Sequence, residues 1–264
     1  MRSRRRELGI ALLIVAGITA LSALLGLMGE LAIPLTASKR LLKELVEELA
    51  YNPDNPYSAF APAYVSAVVW DFRGLDTLYE TIVFIAATIF ALNLYHEYLG
   101  EAELSRHRLS VILQSTAKIQ IVMATAVSAS LVARGHITPG GGFQGGALLA
   151  AVVIAATTIY SLKSLVGRFI KHELILCLLG LATLLLLIAS SKWAIVGFFT
   201  GAPGYILQNQ AKPGSLHGFL FWDGEHWVSG SILVYDLIEY IVIACGLIVL
   251  LLVVIIGGYR ERVI

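Results

Sequence analysis

The chain has 264 residues, 58% of them hydrophobic and only 14% charged, with a mean hydropathy of +0.80. A soluble domain carries about a quarter charged residues, so this composition excludes a water-soluble globular protein. A net charge of +1, with the basic residues spread along the chain, offers no basic face for nucleic acid and no case for an acidic substrate.

Crossing about 30 Å of hydrocarbon takes about 20 mostly apolar residues in a helix. Six stretches qualify: residues 8–28, 75–95, 119–133, 143–162, 174–190 and 232–257. The expected fold is therefore all-α, a polytopic protein of about six transmembrane helices in the cell membrane. The first stretch is longer than the apolar part of a usual signal peptide and its small residues lead to no clear cleavage site, so it reads as a retained helix. The third is short.

Lysine and arginine are held on the cytoplasmic side during insertion. With both termini cytoplasmic, the inner segments carry Arg2, Arg4, Arg5 and Arg6, then Arg106, Arg108 and Lys118, then Lys163, Arg168 and Lys171, and finally Arg260 and Arg262. Lys39, Arg40 and Lys43 run against this pattern, beside Glu44, Glu47 and Glu48.

Between the first two stretches, Leu41, Leu42, Leu45, Val46 and Leu49 fall on one helical face and the charged residues on the other. A helix lying on the membrane surface or on a neighbouring subunit is expected there, with Thr36 or Ser38 as its cap and Asn52-Pro53-Asp54-Asn55-Pro56 as its end. Residues 61–98 read as one long or once-broken helix. The polar segment 97–114 then separates a two-span module, residues 1–100, from a four-span module, residues 101–264. The second module has a glycine-rich turn between its first two spans and a long loop, 191–230, before its last. Trp193, Trp222 and Trp227 are the expected interface anchors.

Three places could carry chemistry. At the start of the second stretch stand Asp71, Arg73, Asp76 and Glu80; in a helix, Arg73, Asp76 and Glu80 share one face and Asp71 lies off it. Charges in lipid are expensive, so these residues form either a salt-bridged docking site or a polar wall for protons or sodium ions. The second place is the turn from His136 to Gly146. Pro139, Gly140, Gly141, Gly142, Gly145 and Gly146 allow a tight reversal, and Gly142, Gly146 and Ala150 form a small face for close helix packing. The helix start there suits an anion, while His136 and Gln144 are the polar members that could face water. Third, Asp236 and Glu239 lie three residues apart in the last stretch, either in an ion path or at an ordinary interfacial position. The remaining histidines form no spaced cluster. Cys177 and Cys245 read as small apolar fillers, so neither a metal nor a cofactor is expected, and no catalytic residue.

At these motifs the chain resembles known families. From about Ser110 onward it is similar to the B-type component of the multisubunit Mrp-type sodium/proton antiporters, whose mark is a His-x-x-Pro-Gly-Gly-Gly-Phe-x-Gly-Gly turn, here His136 to Gly146; Ser231 to Asp236 is similar to that family's last-helix segment. The first hundred residues, through Val65 to Glu80, resemble the small antiporter-like component of archaeal membrane-bound hydrogenases, itself similar to the C-terminal end of the A-type antiporter component. The resemblance implies a non-catalytic subunit of an ion-translocating module that exchanges sodium ions for protons, alone or within a redox-coupled complex of hydrogenase or sulfur reductase type. It implies other antiporter subunits as partners, with iron-sulfur clusters in a separate redox module. A structural adaptor that joins an antiporter to a redox arm is the competing expectation. The absence of an internal two-fold repeat argues for a component rather than a complete carrier.

Overall fold

The computed structural model describes residues 43–95, 111–160 and 172–260. The chain divides into two compact units, Met1–Glu47 and Glu48–Ile264. Of the first, only residues 43–47 are described, and there Lys43 and Glu47 form an exposed ion pair of 3.6 Å. The expected first span, 8–28, lies outside the described residues.

A π-helical stretch, Glu44–Ala50, ends where the sequence places its breaker. Asn52 accepts a hydrogen bond from the Asp54 N–H at 3.1 Å and Asn55 one from the Tyr57 N–H at 2.9 Å; such side-chain turns replace the helical ladder. Ala59 and Ala61 then bond back to the carbonyls of Leu49 and Ala50.

Of the two forms expected next, one long helix or a once-broken one, the chain takes the broken form. Its first part is α1 (Tyr64–Ala67), which runs into a π-helical turn, Val68–Phe72. The break falls at Arg73 (φ −128°), and α2 (Gly74–Tyr95) follows it. Beyond it come α3 (Val111–Ala133), α4 (Gly142–Tyr160) and α5 (His172–Thr200). A two-stranded antiparallel hairpin, β1 (Leu220–Trp222) and β2 (Trp227–Ser229), precedes the last helix, α6 (Gly230–Arg260).

Among the described residues, four helical stretches are long and apolar enough to cross a membrane: Gly74–Asn93, Gln114–Ala133, Leu174–Thr200 and Gly230–Val254; Gly142–Thr157 is a shorter apolar helix. Their apolar residues face outward as well as inward, as in a membrane span: on α5, Leu184, Leu185 and Ile188 are exposed while Leu179 and Leu186 are buried. The chain is a multi-pass membrane protein.

Two helix bounds differ from expectation. The short third stretch begins earlier, at Val111, because Gln114 and Lys118 in its first turns depress its hydropathy without breaking the helix. The stretch expected to stop at residue 190 runs on to Thr200. Ser190, Ser191 and Lys192 read as an end in the sequence, but the Lys192 ammonium donates to the Ser231 hydroxyl at 2.9 Å and lies within 6 Å of the Trp193, Phe219 and Tyr235 rings.

Helix α6 is central and packs against α2, α3, α4 and α5. Ile232, Tyr235 and Val242 on α6 form the core with Trp70, Leu179 and Leu186. At one end of the bundle the start of α4 meets the end of α3 and the first turns of α6, and the loop after α5 reaches the start of α2 through Leu207, which also bonds to Ser190 of α5. That loop is ordered by its own amides: Gln208 donates to the carbonyls of Gln210 and His217, and Asn209 to that of Ala59. Trp222 and Trp227 are half exposed and in edge contact at 5.7 Å, whereas Trp193 stacks on His217.

A candidate ion site where α4 meets α6

The glycine turn positions the site. Gly141 adopts φ +144°, a conformation other residues rarely take, and its N–H bonds to the Leu131 carbonyl at the end of α3. A Cβ at Gly142 would collide with the Asp236 carbonyl and meet the Glu239 Cβ at 2.7 Å; one at Gly146 would meet the Tyr240 carbonyl at 2.7 Å. With Ala150 buried on the same face, α4 therefore lies directly on α6, as the small-residue spacing predicts.

This contact brings the start of α4 onto two acids of α6. The Gly142 N–H donates to Asp236 Oδ1 at 3.3 Å and the Phe143 N–H to Glu239 Oε2 at 3.1 Å. The N–H groups of a helix's first turn have no partners within the helix and attract anions. Here those N–H groups meet the chain's own carboxyl groups. Asp236 Oδ1 also accepts from the Trp70 indole at 2.8 Å, while Asp236 Oδ2 has no hydrogen-bond partner among the described residues. Both acids are buried, Asp236 to 1% exposure and Glu239 to 6%.

A cavity of about 290 Å3 opens beside them. Glu80, Gln144, Asp236 and Glu239 line it, together with Ser66, Thr77 and Gly140, Gly141 and Gly142. Three carboxyl groups thus share one space, and its described lining includes no basic side chain. Like charges repel strongly where water is scarce, so such a space favours the entry of a cation or of protons.

The other candidates lie apart from it. Arg73 and Asp76 pair at 2.6 Å with their side chains 72% and 50% exposed. Asp71, its side chain only 5% exposed, pairs at 2.7 Å with Lys212 from the loop after α5. His136 is buried against Phe221 of the hairpin, its ring nitrogens without hydrogen bonds among the described residues. Its backbone carbonyl accepts from the Ala63 N–H, and that of Gly135 from the Ser66 hydroxyl, which ties α1 to the turn. Burial pushes the His136 imidazole below its ordinary range, and the nearby Asp223 opposes this. Sequence reasoning gave no role to Trp70, Lys192 and Lys212, which here bond to Asp236, Ser231 and Asp71. For Trp70 a signal existed, since a buried indole N–H needs an acceptor.

Residues 112–249 match the family described as a domain related to the MnhB subunit of Na+/H+ antiporter. The uncharacterized protein MJ1307 of Methanocaldococcus jannaschii is 32% identical over 206 residues, which span 72% of this chain and 73% of that protein. Among solved structures, a chain of the membrane-bound sulfane sulfur reductase, an archaeal respiratory membrane complex, has a TM-score of 0.61 at 24% identity, covering 91% of this chain and 97% of the other. A chain of the Mrp complex from Dietzia sp. DQ12-45-1b gives 0.58 at 18% identity over 94% of this chain, which spans 25% of that longer one. At such identities these two structures carry the fold alone. With the family match covering more than half of its length, this chain belongs to the family of membrane proteins related to the MnhB subunit of Na+/H+ antiporters.

Proposed function

We propose that the chain is a non-catalytic membrane subunit of a sodium/proton antiporter module, and that the cavity between α2, α4 and α6 lines its ion path. The observation that carries this reading is the contrast in pairing: Asp236 and Glu239 are buried on the cavity wall with no basic partner among the described residues and Glu80 reaches the same cavity, whereas Asp71 and Asp76 are each matched to a cation. Unpaired acids inside a membrane protein mark ion and proton paths. The Gln144 amide adds a neutral oxygen ligand beside them.

The fold shared with the sulfane sulfur reductase chain supports a place in a redox-coupled respiratory complex of hydrogenase or sulfur reductase type. Two cysteines cannot supply the usual four ligands of an iron-sulfur cluster, so electron transfer is assigned to partner subunits. The topology is six spans with both termini cytoplasmic, which places the cavity near the outer side, in a chain built of the two modules 1–100 and 101–264. In that arrangement a cysteine at Leu216, 92% exposed, reacts with an impermeant external reagent and one at Ser164 does not.

The adaptor reading draws on the exposed Arg73–Asp76 pair, which lines an open groove of about 600 Å3 with Tyr79, Glu80, Val83 and Phe84. That groove suits a neighbouring subunit, and it is compatible with an ion path behind it. The component reading is tested by mass spectrometry of the gently solubilised native complex, which should show antiporter subunits bound to this chain, and by reconstitution of the chain alone. Sodium-driven proton flux from the isolated chain would overturn it.

A further inference from the structure

Trp70 is completely buried, and it sits in the π-helical turn Val68–Phe72 that closes with the Arg73 N–H on the Val68 carbonyl at 2.8 Å. Such turns break the regular helical register and are frequent at functional sites. This one packs the indole against Tyr235, ring centroids 5.2 Å apart, and delivers its N–H to an acid 166 residues away. An indole can only donate. Its target, Asp236 Oδ1, also takes the Gly142 N–H, so both donors fall on one oxygen of the carboxylate and Oδ2 is left with none among the described residues.

We infer that Trp70 is a positioning residue of the acid cavity: its N–H holds the Asp236 carboxyl group in place on the cavity wall that Asp236 shares with Glu239 and Glu80. The inference rests on the ion-path reading above. The indole bond fixes the orientation of the carboxyl group, because hydrogen bonds to a charged acceptor are about twice as strong as neutral ones. A site that binds and releases ions repeatedly works best with its ligands held in one geometry by surrounding groups.

The test is Trp70→Phe in the assembled complex, which keeps an aromatic ring beside Tyr235 and removes the N–H. The apparent KM for sodium should rise about tenfold, the scale of one lost hydrogen bond to a charged group, while the maximal rate and the amount of assembled complex stay near wild type. A purely structural role would lower the amount of complex and leave KM unchanged. Independently of transport, the ultraviolet resonance Raman difference between wild type and Trp70→Phe isolates the Trp70 indole, and its N–H marker band should shift on addition of sodium but not in Asp236→Asn. An unchanged KM in assembled Trp70→Phe, or an indole band indifferent to sodium, overturns the inference while leaving the ion path standing. Full exchange by Asp236→Asn would instead remove the ion path itself, so the two failures are told apart.

Discussion

Asp71 and Asp76 flank the start of α2 and each has a cation close by, Lys212 at 2.7 Å and Arg73 at 2.6 Å. Among the described residues, Asp236 and Glu239, in the second and third turns of α6, take hydrogen bonds from the N–H groups of Trp70, Gly142 and Phe143. Both regions are acid-rich helix starts at one end of the bundle, and they handle charge in opposite ways. Ion pairs lock the first. Neutral donors hold the second without cancelling its charge, so it can still attract an ion. The difference also separates two kinds of damage: losing a cation from the first region should harm folding, whereas neutralising an acid in the second should harm exchange.

The largest effect on folding is expected from Lys212→Met, which strands the buried Asp71 carboxylate. Breaking a buried pair costs about 3 to 5 kcal/mol, and the partial exposure of Lys212 (24%) puts this case at the lower end. Unfolding in detergent measures it, and adding Asp71→Asn should recover most of the loss. Next comes Gly142→Ala, where the new methyl must displace α4 from α6; overpacking of this kind costs about 1 to 3 kcal/mol. Gly180→Ala is its control, because a Cβ there meets nothing within 4 Å. A smaller effect is predicted for Arg73→Met, since exposed pairs contribute about 1 kcal/mol or less. If Arg73→Met proved as damaging as Lys212→Met, the groove beside it would be a principal docking surface and the contrast between the regions would need redrawing.

The smallest effect is a pH slope. Burial keeps His136 neutral in the folded chain below its ordinary range, while the unfolded chain takes up a proton near pH 6.5. The unfolded state then binds more protons, so stability falls as pH drops through and below that value, and above it His136 contributes no pH dependence. His136→Phe should flatten this acid-side slope in detergent melts. An unchanged slope would mean that another group causes it.

Much of this was legible in the sequence because membrane helices announce themselves by length and hydropathy, and because Gly142, Gly146 and Ala150 repeat at helical spacing. The i, i+3 spacing of Arg73 and Asp76 matched an actual pair, and that of Asp236 and Glu239 placed both on the buried side of α6. Partners distant in sequence were not legible: Lys212 reaches Asp71 across 141 residues, and Trp70 reaches Asp236 across 166. Helical spacing grouped Glu80 with Arg73 and Asp76, and the three do line one groove, but Glu80, further along α2, also lines the cavity of the α6 acids, which the spacing did not show. The readiness of the α4 start to take an anion was visible from its glycines; that it meets carboxyl groups of α6 required the packing.

Whether the unpaired acids carry ions is the central question. The direct measurement is sodium-driven proton exchange per assembled complex, with assembly quantified on native gels, for Asp236→Asn and Glu239→Gln against Asp76→Asn. The two α6 variants should assemble and lose exchange by about tenfold or more, as expected for acids that line an ion path, while Asp76→Asn stays near wild type. Wild-type exchange in assembled Asp236→Asn and Glu239→Gln, or a loss confined to Asp76→Asn, would contradict the ion-path reading.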